Sequence, residues 1–167
     1  GRKIRFALIG CGRISGKHVE ALEAHKESAE LVAVCDSDAA ALKAMVTRTK
    51  AKGFGTIPAM LAGSDADVVI VATPSGMHAE QGIAAAAAGR HVVTEKPMAT
   101  RWEDGKRLVH ACDAAGVRLF VVKQNRRNPT LQLVKRAMQK RRFGRVYMVN
   151  VNVFWNRPQS YYDSAKW

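Results

Sequence analysis

The sequence predicts an α/β domain built on a doubly wound parallel sheet, followed by the start of a truncated α+β second domain. Three observations carry that prediction. Apolar runs of strand length alternate with helical patterns from residue 4 to residue 122. The runs are near-continuous rather than alternating, as suits strands buried on both faces and joined by covering helices. A glycine-rich turn, Gly10-Cys11-Gly12-Arg13-Ile14-Ser15, directly follows the first run. Residues 1–125 are expected to form this domain, and residues 126–167 a linking helix and the first strand of the next.

The elements follow in order. Ile4 to Ile9 is the first strand, and the glycine turn after it opens a helix in which Ile14, His18, Ala21 and Leu22 face inward. Leu31 to Cys35 is the second strand, and Gly53-Phe54-Gly55-Thr56 a short third one weakened by its glycines. Val68 to Ala72 is the fourth strand, and the alanine-rich helix from Ala79 to Ala88 is stopped by Gly89. His91 to Thr94 is the fifth; a helix follows, in which Leu108, Ala111, Cys112 and Ala115 repeat at helical spacing before Gly116 ends it. Val117 to Val122 is the sixth, so right-handed crossovers complete the sheet near Asn125. Beyond it, Leu131, Val134 and Met138 mark a helix ended near Gly144, and the partial alternation from Val146 to Trp155 predicts a strand with one covered face.

Composition narrows the class. The chain has 167 residues, 47% hydrophobic and 25% charged, which fits one globular domain and part of another. Cys11, Cys35 and Cys112 have neither metal-ligand spacing nor the density of a disulfide framework, so no metal is expected and a reducing cytosol fits. No apolar stretch reaches membrane-spanning length and no signal peptide is visible, so no membrane association is expected. The net charge of +13 is uneven: residues 101–167 hold 15 Lys and Arg against 4 Asp and Glu, and no acidic residue lies between Asp113 and Asp163. That imbalance implies an anionic ligand or partner. A nucleic-acid-binding module is the alternative it raises, but the basic run carries no zinc, helix-turn-helix or RNP pattern and no interleaved aromatics before Phe143. No nucleic-acid partner is therefore expected.

The candidate site residues lie where strands end. In the glycine turn, Gly10 permits the tight bend and Gly12 lets backbone approach a pyrophosphate, with Ser15 in place of the third small residue. A plain strand–helix turn is the competing reading. Asp36 ends the second strand 26 residues after Gly10, where a carboxylate accepts hydrogen bonds from a ribose diol and repels a 2′-phosphate. This favours NAD over NADP; the competing reading is that Asp36 or Ser37 caps the next helix. Thr73-Pro74-Ser75-Gly76-Met77-His78 follows the fourth strand and Glu95-Lys96-Pro97 the fifth. Singly, His78 reads equally as a helix-start residue and Lys96 as a surface lysine.

Taken in this order, the glycine turn, Asp36, Thr73-Pro74…His78 and Glu95-Lys96-Pro97 resemble the Gfo/Idh/MocA oxidoreductases, across effectively the whole chain. More narrowly, Thr94 to Trp102, Val121 to Asn128, Asn152 to Trp155 and Tyr161 to Trp167 are similar to the WlbA-type dehydrogenases of that family. The resemblance implies a Rossmann-type domain, NAD as cofactor, and oxidation of the C3 hydroxyl of UDP-N-acetylglucosaminuronic acid in surface-polysaccharide synthesis. It implies that Gly10, Gly12, Arg13 and Ile14 hold the pyrophosphate and Asp36 the adenosine ribose. Thr73, Pro74 and His78 would line the nicotinamide side, with Glu95, Lys96 and Gln124 also on the cofactor. Lys96 would be the catalytic residue; desolvated by burial beside a cationic nicotinamide, it would take the hydroxyl proton or stabilise an alkoxide. The Lys96–Pro97 bond would be cis. Ser75 stands where many relatives have asparagine, a departure shared with the narrower group.

The same resemblance gives the basic residues a role. A UDP-glucuronate-type substrate carries a diphosphate and a carboxylate, and guanidinium groups match both. Arg126 and Arg127, then Lys123 and Asn125, are the expected substrate contacts beside Lys96, whereas Lys135, Arg136, Lys140, Arg141 and Arg142 read as a solvated helix face. A family dehydrogenase acting on a neutral polyol or sugar is the rival reading, and a non-catalytic NAD-binding domain a third. The family's second-domain histidine is not among these residues, so the chain alone is expected to be inactive and the full-length protein to form a homo-oligomer.

Overall fold

β-branched and aliphatic runs become strands wherever two neighbours can bury them. The computed structural model describes residues 1–163, and the chain divides into two compact units, Gly1–Val122 and Lys123–Trp167. The first unit holds six strands: β1 (Ile4–Ile9), β2 (Ala29–Cys35), β3 (Lys52–Phe54), β4 (Val68–Val71), β5 (His91–Thr94) and β6 (Leu119–Val121). They form one sheet in the order β3-β2-β1-β4-β5-β6, and every pairing is parallel. Five helices connect them: α1 (Ser15–Ala24), α2 (Ala39–Thr49), α3 (Ile57–Gly63), α4 (His78–Ala87) and α5 (Trp102–Ala114). Among the described residues no helix is long and apolar enough to cross a membrane.

Alternation along the strands splits the core in two, because successive side chains leave opposite faces. Ala7 and Ile9 of β1, Ala33 and Cys35 of β2 and Val69 and Val71 of β4 share one cluster with Met60 of α3, Ala85 of α4 and Leu108 and Cys112 of α5. Leu8, Val34 and Ile70, from the same strands, share the other with Val19 of α1 and Met45 of α2. The alanines of α4 let it fit tightly: a Cβ on Gly82 would stand 2.7 Å from Leu108 Cδ1. Leu108 itself is fully buried.

Four expectations change. The inward face of α1 is Ser15, His18 and Val19 with Leu22, so His18 and Leu22 face inward as expected while Ile14 and Ala21 are exposed. Ile14 precedes the first helical turn, so the buried stripe starts one residue later than its spacing implied. β5 and β6 are not buried on both faces, and Phe120 is 49% exposed. The cluster beneath α1 and α2 reaches β5 only at the partly buried Val93, so within this unit the far half of that face is uncovered. In the second unit, α6 (Pro129–Gln139) forms where Leu131, Val134 and Met138 predict it, with the Asn128 side chain accepting from the Thr130 N–H. It ends at Gln139 rather than near Gly144.

The strand expected from Val146 to Trp155 is absent; residues 145–158 form no ladder, and α7 (Gln159–Asp163) follows them. A strand needs a partner for its backbone groups, and among the described residues none pairs with this segment. Ser164 to Trp167, which close the last motif of the resemblance, lie outside the described residues.

The amino edge of the sheet is held by charge. Arg2 grips Asp67 with two bonds of 2.8 Å, and the Arg5 backbone N–H donates to the same carboxylate at 2.8 Å. The Arg2 guanidinium, followed by that N–H, holds the Asp67 carboxyl down to about 2. A carboxyl lowered on folding adds stability above its unfolded value, and loses it as pH falls through the folded one. We expect Asp67→Asn to cost about 1 kcal/mol at pH 7, since Arg2 is largely exposed, with the difference from wild type vanishing between about pH 4 and pH 2. Urea unfolding at stepped pH checks this.

Candidate functional site

The crossing of the first and fourth strands dictates the turn. Gly10 has φ +93, and a Cβ there would lie 2.7 Å from the Ala72 carbonyl oxygen, so both the backbone angle and the contact require glycine. Its N–H donates to the Cys35 carbonyl at 2.8 Å, while the Ala72 N–H donates to the Ile9 carbonyl at 2.8 Å. The turn is thereby pinned at the point where the strand order reverses, which is where ligands settle in open α/β sheets. Gly12 differs: nothing lies within 4 Å of the place its Cβ would occupy. That is room for a ligand to approach the backbone. Ser15 is fully buried, and its hydroxyl donates to the Gly12 carbonyl. As the small residue of the pattern it packs α1 against the sheet and stiffens the turn. No side chain caps the first turn of α1, and no acidic residue lies in it, which leaves the helix N-terminus suited to an anion.

Asp36 is more than a helix cap. Its Oδ2 accepts the Cys11 N–H at 2.7 Å and its Oδ1 the Asp38 N–H at 2.8 Å. The cap of α2 is Asp38, whose side chain accepts from the Ala40 and Ala41 N–H groups. Asp36 thus ties the glycine turn to the end of β2 while each of its oxygens keeps a lone pair for a ribose hydroxyl. A cleft of about 510 Å³ opens at these strand ends, lined by Gly10, Gly12, Asp36, Thr73, Pro74 and Gln81 among others. The Cys11 thiol beside it is pushed up to about 12, first by burial and then by the Asp36 charge, and Cys35 to about 11 for the same reasons. Neither is a nucleophile at neutral pH.

The second group of residues follows β4 and β5. His78, the first residue of α4, is 1% exposed. Its Nδ1 lies 2.7 Å from the Pro97 carbonyl oxygen and its Nε2 2.7 Å from that of Thr73. The Thr73 hydroxyl donates to Gln81 Oε1, so the first turn of α4 holds Thr73 by both backbone and side chain. Glu95 is buried; its Oε1 lies 3.0 Å from His18 Nε2, and its Oε2 accepts the Lys96 N–H at 3.2 Å. Lys96 itself is exposed, contrary to the expected burial, because it stands one residue past the last buried position of that loop. The Lys96–Pro97 bond is cis.

Gln81, His18 and Cys11 were not among the sequence candidates. Gln81 had a readable signal, one helical turn beyond His78 on the same face. His18 and Glu95 are 77 residues apart and meet only in the fold.

The remaining predicted residues belong to the second unit. Gln124, Asn125, Arg126 and Arg127 form a single 3₁₀ turn after Lys123, all exposed, and the Gln132 side chain donates to the Arg126 carbonyl. Among the described residues no group of three or more His, Cys, Asp or Glu could hold a metal ion.

Strand order, glycine turn and carboxylate define a dinucleotide-binding domain of the Rossmann type. The chain belongs to the Gfo/Idh/MocA oxidoreductases: the model of that oxidoreductase family, with its NAD-binding Rossmann fold, matches residues 4–123. That model describes an NAD-binding domain, and Gly12, Asp36 and the cleft fit NAD. Over its whole length the chain is 65% identical, with a TM-score of 0.97, to the WlbA dehydrogenase of Chromobacterium violaceum, solved in complex with NADH and UDP-GlcNAcA. It is 63% identical over 98% of its length, with a TM-score of 0.96, to the WlbA dehydrogenase of Bordetella pertussis in complex with the same two molecules. The chain spans 48% and 50% of those two proteins. It is also 33% identical over 162 residues to the D-apiose dehydrogenase of Paraburkholderia graminis, covering 93% of this chain and 40% of that protein.

Because burial and Asp36 both hold Cys11 as a thiol, iodoacetamide at pH 8 should label it far more slowly than a free cysteine. Asp36→Asn removes the second cause and should speed labelling, read by mass spectrometry of the Cys11 peptide.

Proposed function

We propose that this chain is the cofactor-binding part of an NAD-dependent dehydrogenase that oxidises the C3 hydroxyl of a UDP-linked N-acetylglucosaminuronic acid, in the making of a surface-polysaccharide sugar. The observation that carries the reading is the 63–65% identity, along effectively the entire chain, to two dehydrogenases solved with NADH and UDP-GlcNAcA. The site is consistent with it in chemistry. Gly10, Gly12, Arg13 and Ile14 hold the pyrophosphate at the start of α1, and Asp36 holds the adenosine ribose and rejects a 2′-phosphate. Thr73 and Pro74 line the nicotinamide side, with Gln81 and His78 fixing Thr73 from behind.

Oxidising a secondary alcohol removes a hydride from carbon and a proton from oxygen; nicotinamide, when bound, supplies the hydride acceptor. Lys96 meets the hydroxyl oxygen and handles its proton, either directly or by stabilising the alkoxide. Glu95 anchors the Lys96 backbone N–H, so the base is offered from a fixed loop although its side chain is exposed. Arg126 and Arg127, with Lys123 and Asn125, take the diphosphate and carboxylate of the substrate, and Gln124 contributes to the cofactor side. The chain spans about half of the two enzymes it matches.

The rival reading is a neutral-sugar dehydrogenase, favoured by the similarity to D-apiose dehydrogenase. A neutral sugar gives the arginines no anion to hold.

Two measurements test these roles. Calorimetry should find NAD bound well above NADP, and Asp36→Ala should weaken NAD by about tenfold or more, as loss of a charge-assisted hydrogen bond does. Equal binding of both cofactors would contradict the role of Asp36. In the full-length enzyme, the double change Arg126→Ala and Arg127→Ala should raise KM for the UDP-sugar by at least about tenfold; an unchanged KM would favour the neutral-sugar reading.

A further inference from the structure

A neutral imidazole carries one N–H and one lone pair, so it satisfies one carbonyl and repels another. His78 faces two. Its Nδ1 and Nε2 each lie 2.7 Å from a backbone carbonyl oxygen, of Pro97 and of Thr73, and the ring is 1% exposed, so water cannot stand in for a missing donor. Both contacts are hydrogen bonds only if both ring nitrogens carry protons. The two carbonyls belong to the loops after β4 and β5, those that bear Pro74 and Lys96. Gln81 reaches the first of these loops at Thr73, and His18 reaches the second at Glu95.

We propose that His78 is the positioning residue of the site, a doubly protonated imidazole that ties the Thr73 carbonyl to the Pro97 carbonyl and so fixes the nicotinamide-side loop against the Lys96 loop. The inference rests on the reading of this cleft as an NAD site and goes beyond it, since it gives His78 a role through Thr73 and Pro97 rather than through the cofactor. Two effects oppose a cation there. Burial disfavours charge, and His78 begins α4, where the helix dipole is positive. Two charge-assisted hydrogen bonds favour it, and the alternative leaves a ring nitrogen and a carbonyl oxygen with lone pairs facing at 2.7 Å. Of the carboxylates on the elements around it, Glu80 is engaged with Arg107 at 2.7 Å, Asp104 with the same arginine at 3.2 Å and Glu95 with His18 at 3.0 Å. Lys96, His18 and, on α5, Glu103, Lys106 and His110 are other titratable groups on the elements packed around it. The charge is therefore held by the backbone carbonyls.

The test begins with nitrogen-15 NMR of the histidine rings in this chain at neutral pH, His78 being assigned by its absence in His78→Asn. Both ring nitrogens of His78 should show one-bond coupling to a proton; one bare nitrogen would overturn the proposal. His78→Asn, with folding verified by circular dichroism, should then bind NAD about tenfold more weakly. A folded variant with wild-type NAD affinity would also overturn it. If His78→Asn does not fold, assignment passes to sequential spectra of the wild type, and the ring signature still decides. Wild-type protein that binds no NAD but shows the doubly protonated ring would sink the proposed function and leave the strut standing.

Discussion

Everything at the carboxyl edge of this sheet depends on the absence of a single Cβ at Gly10. The chain must leave β1, turn and enter α1 within a few residues, while β4 presses the Ala72 carbonyl against the bend. With 2.7 Å available where a Cβ would sit, and a positive φ, only glycine closes the turn without moving one of the two central strands. The N–H of Gly10 and that of Ala72 cross-link the ends of β1, β2 and β4, and Asp36 adds a third tie through the Cys11 N–H. The cleft is the space these ties leave open.

Rigidity at that edge comes from polar groups satisfying one another before any ligand arrives. The Ser15 hydroxyl is spent on Gly12, Asp36 on two backbone amides, Gln81 on Thr73 and Glu95 on His18. All of these but the Asp36–Asp38 contact lie in a partly buried setting, where an unmade bond would be costly. Lys96 is the contrast, exposed at the end of a loop whose backbone is fixed.

Charge is divided along the chain as well. The first unit balances its acids and bases and uses them as ties, Asp67 with Arg2 at one edge and Glu80 with Arg107 on the helices. The second carries exposed Lys and Arg with almost no acidic partners, and its apolar side chains from Val146 to Trp155 are exposed too. Those side chains alternate as a strand would, yet a ladder needs a second strand to accept its hydrogen bonds.

Much of the fold was legible because it rests on local signals. The runs Ile4–Ile9 and His91–Thr94, the helical repeat ending at Ala115 and the glycine turn each encode their element within a few residues, and the alternation of elements encodes a parallel sheet. The candidate site was legible in part for the same reason, since Asp36 and Lys96 sit at strand ends that the sequence marks. What the sequence by itself determined is therefore the order of elements, the turn and the residue types at the strand ends. Only the tertiary structure decided that Asp36 locks Cys11, that His18 meets Glu95, that His78 is buried between two carbonyls, that Lys96 is exposed and that β5 and β6 keep one face open. Those outcomes depend on contacts between residues up to 77 positions apart, set by how strands stack and helices cover them, and periodicity within one element carries no information about them.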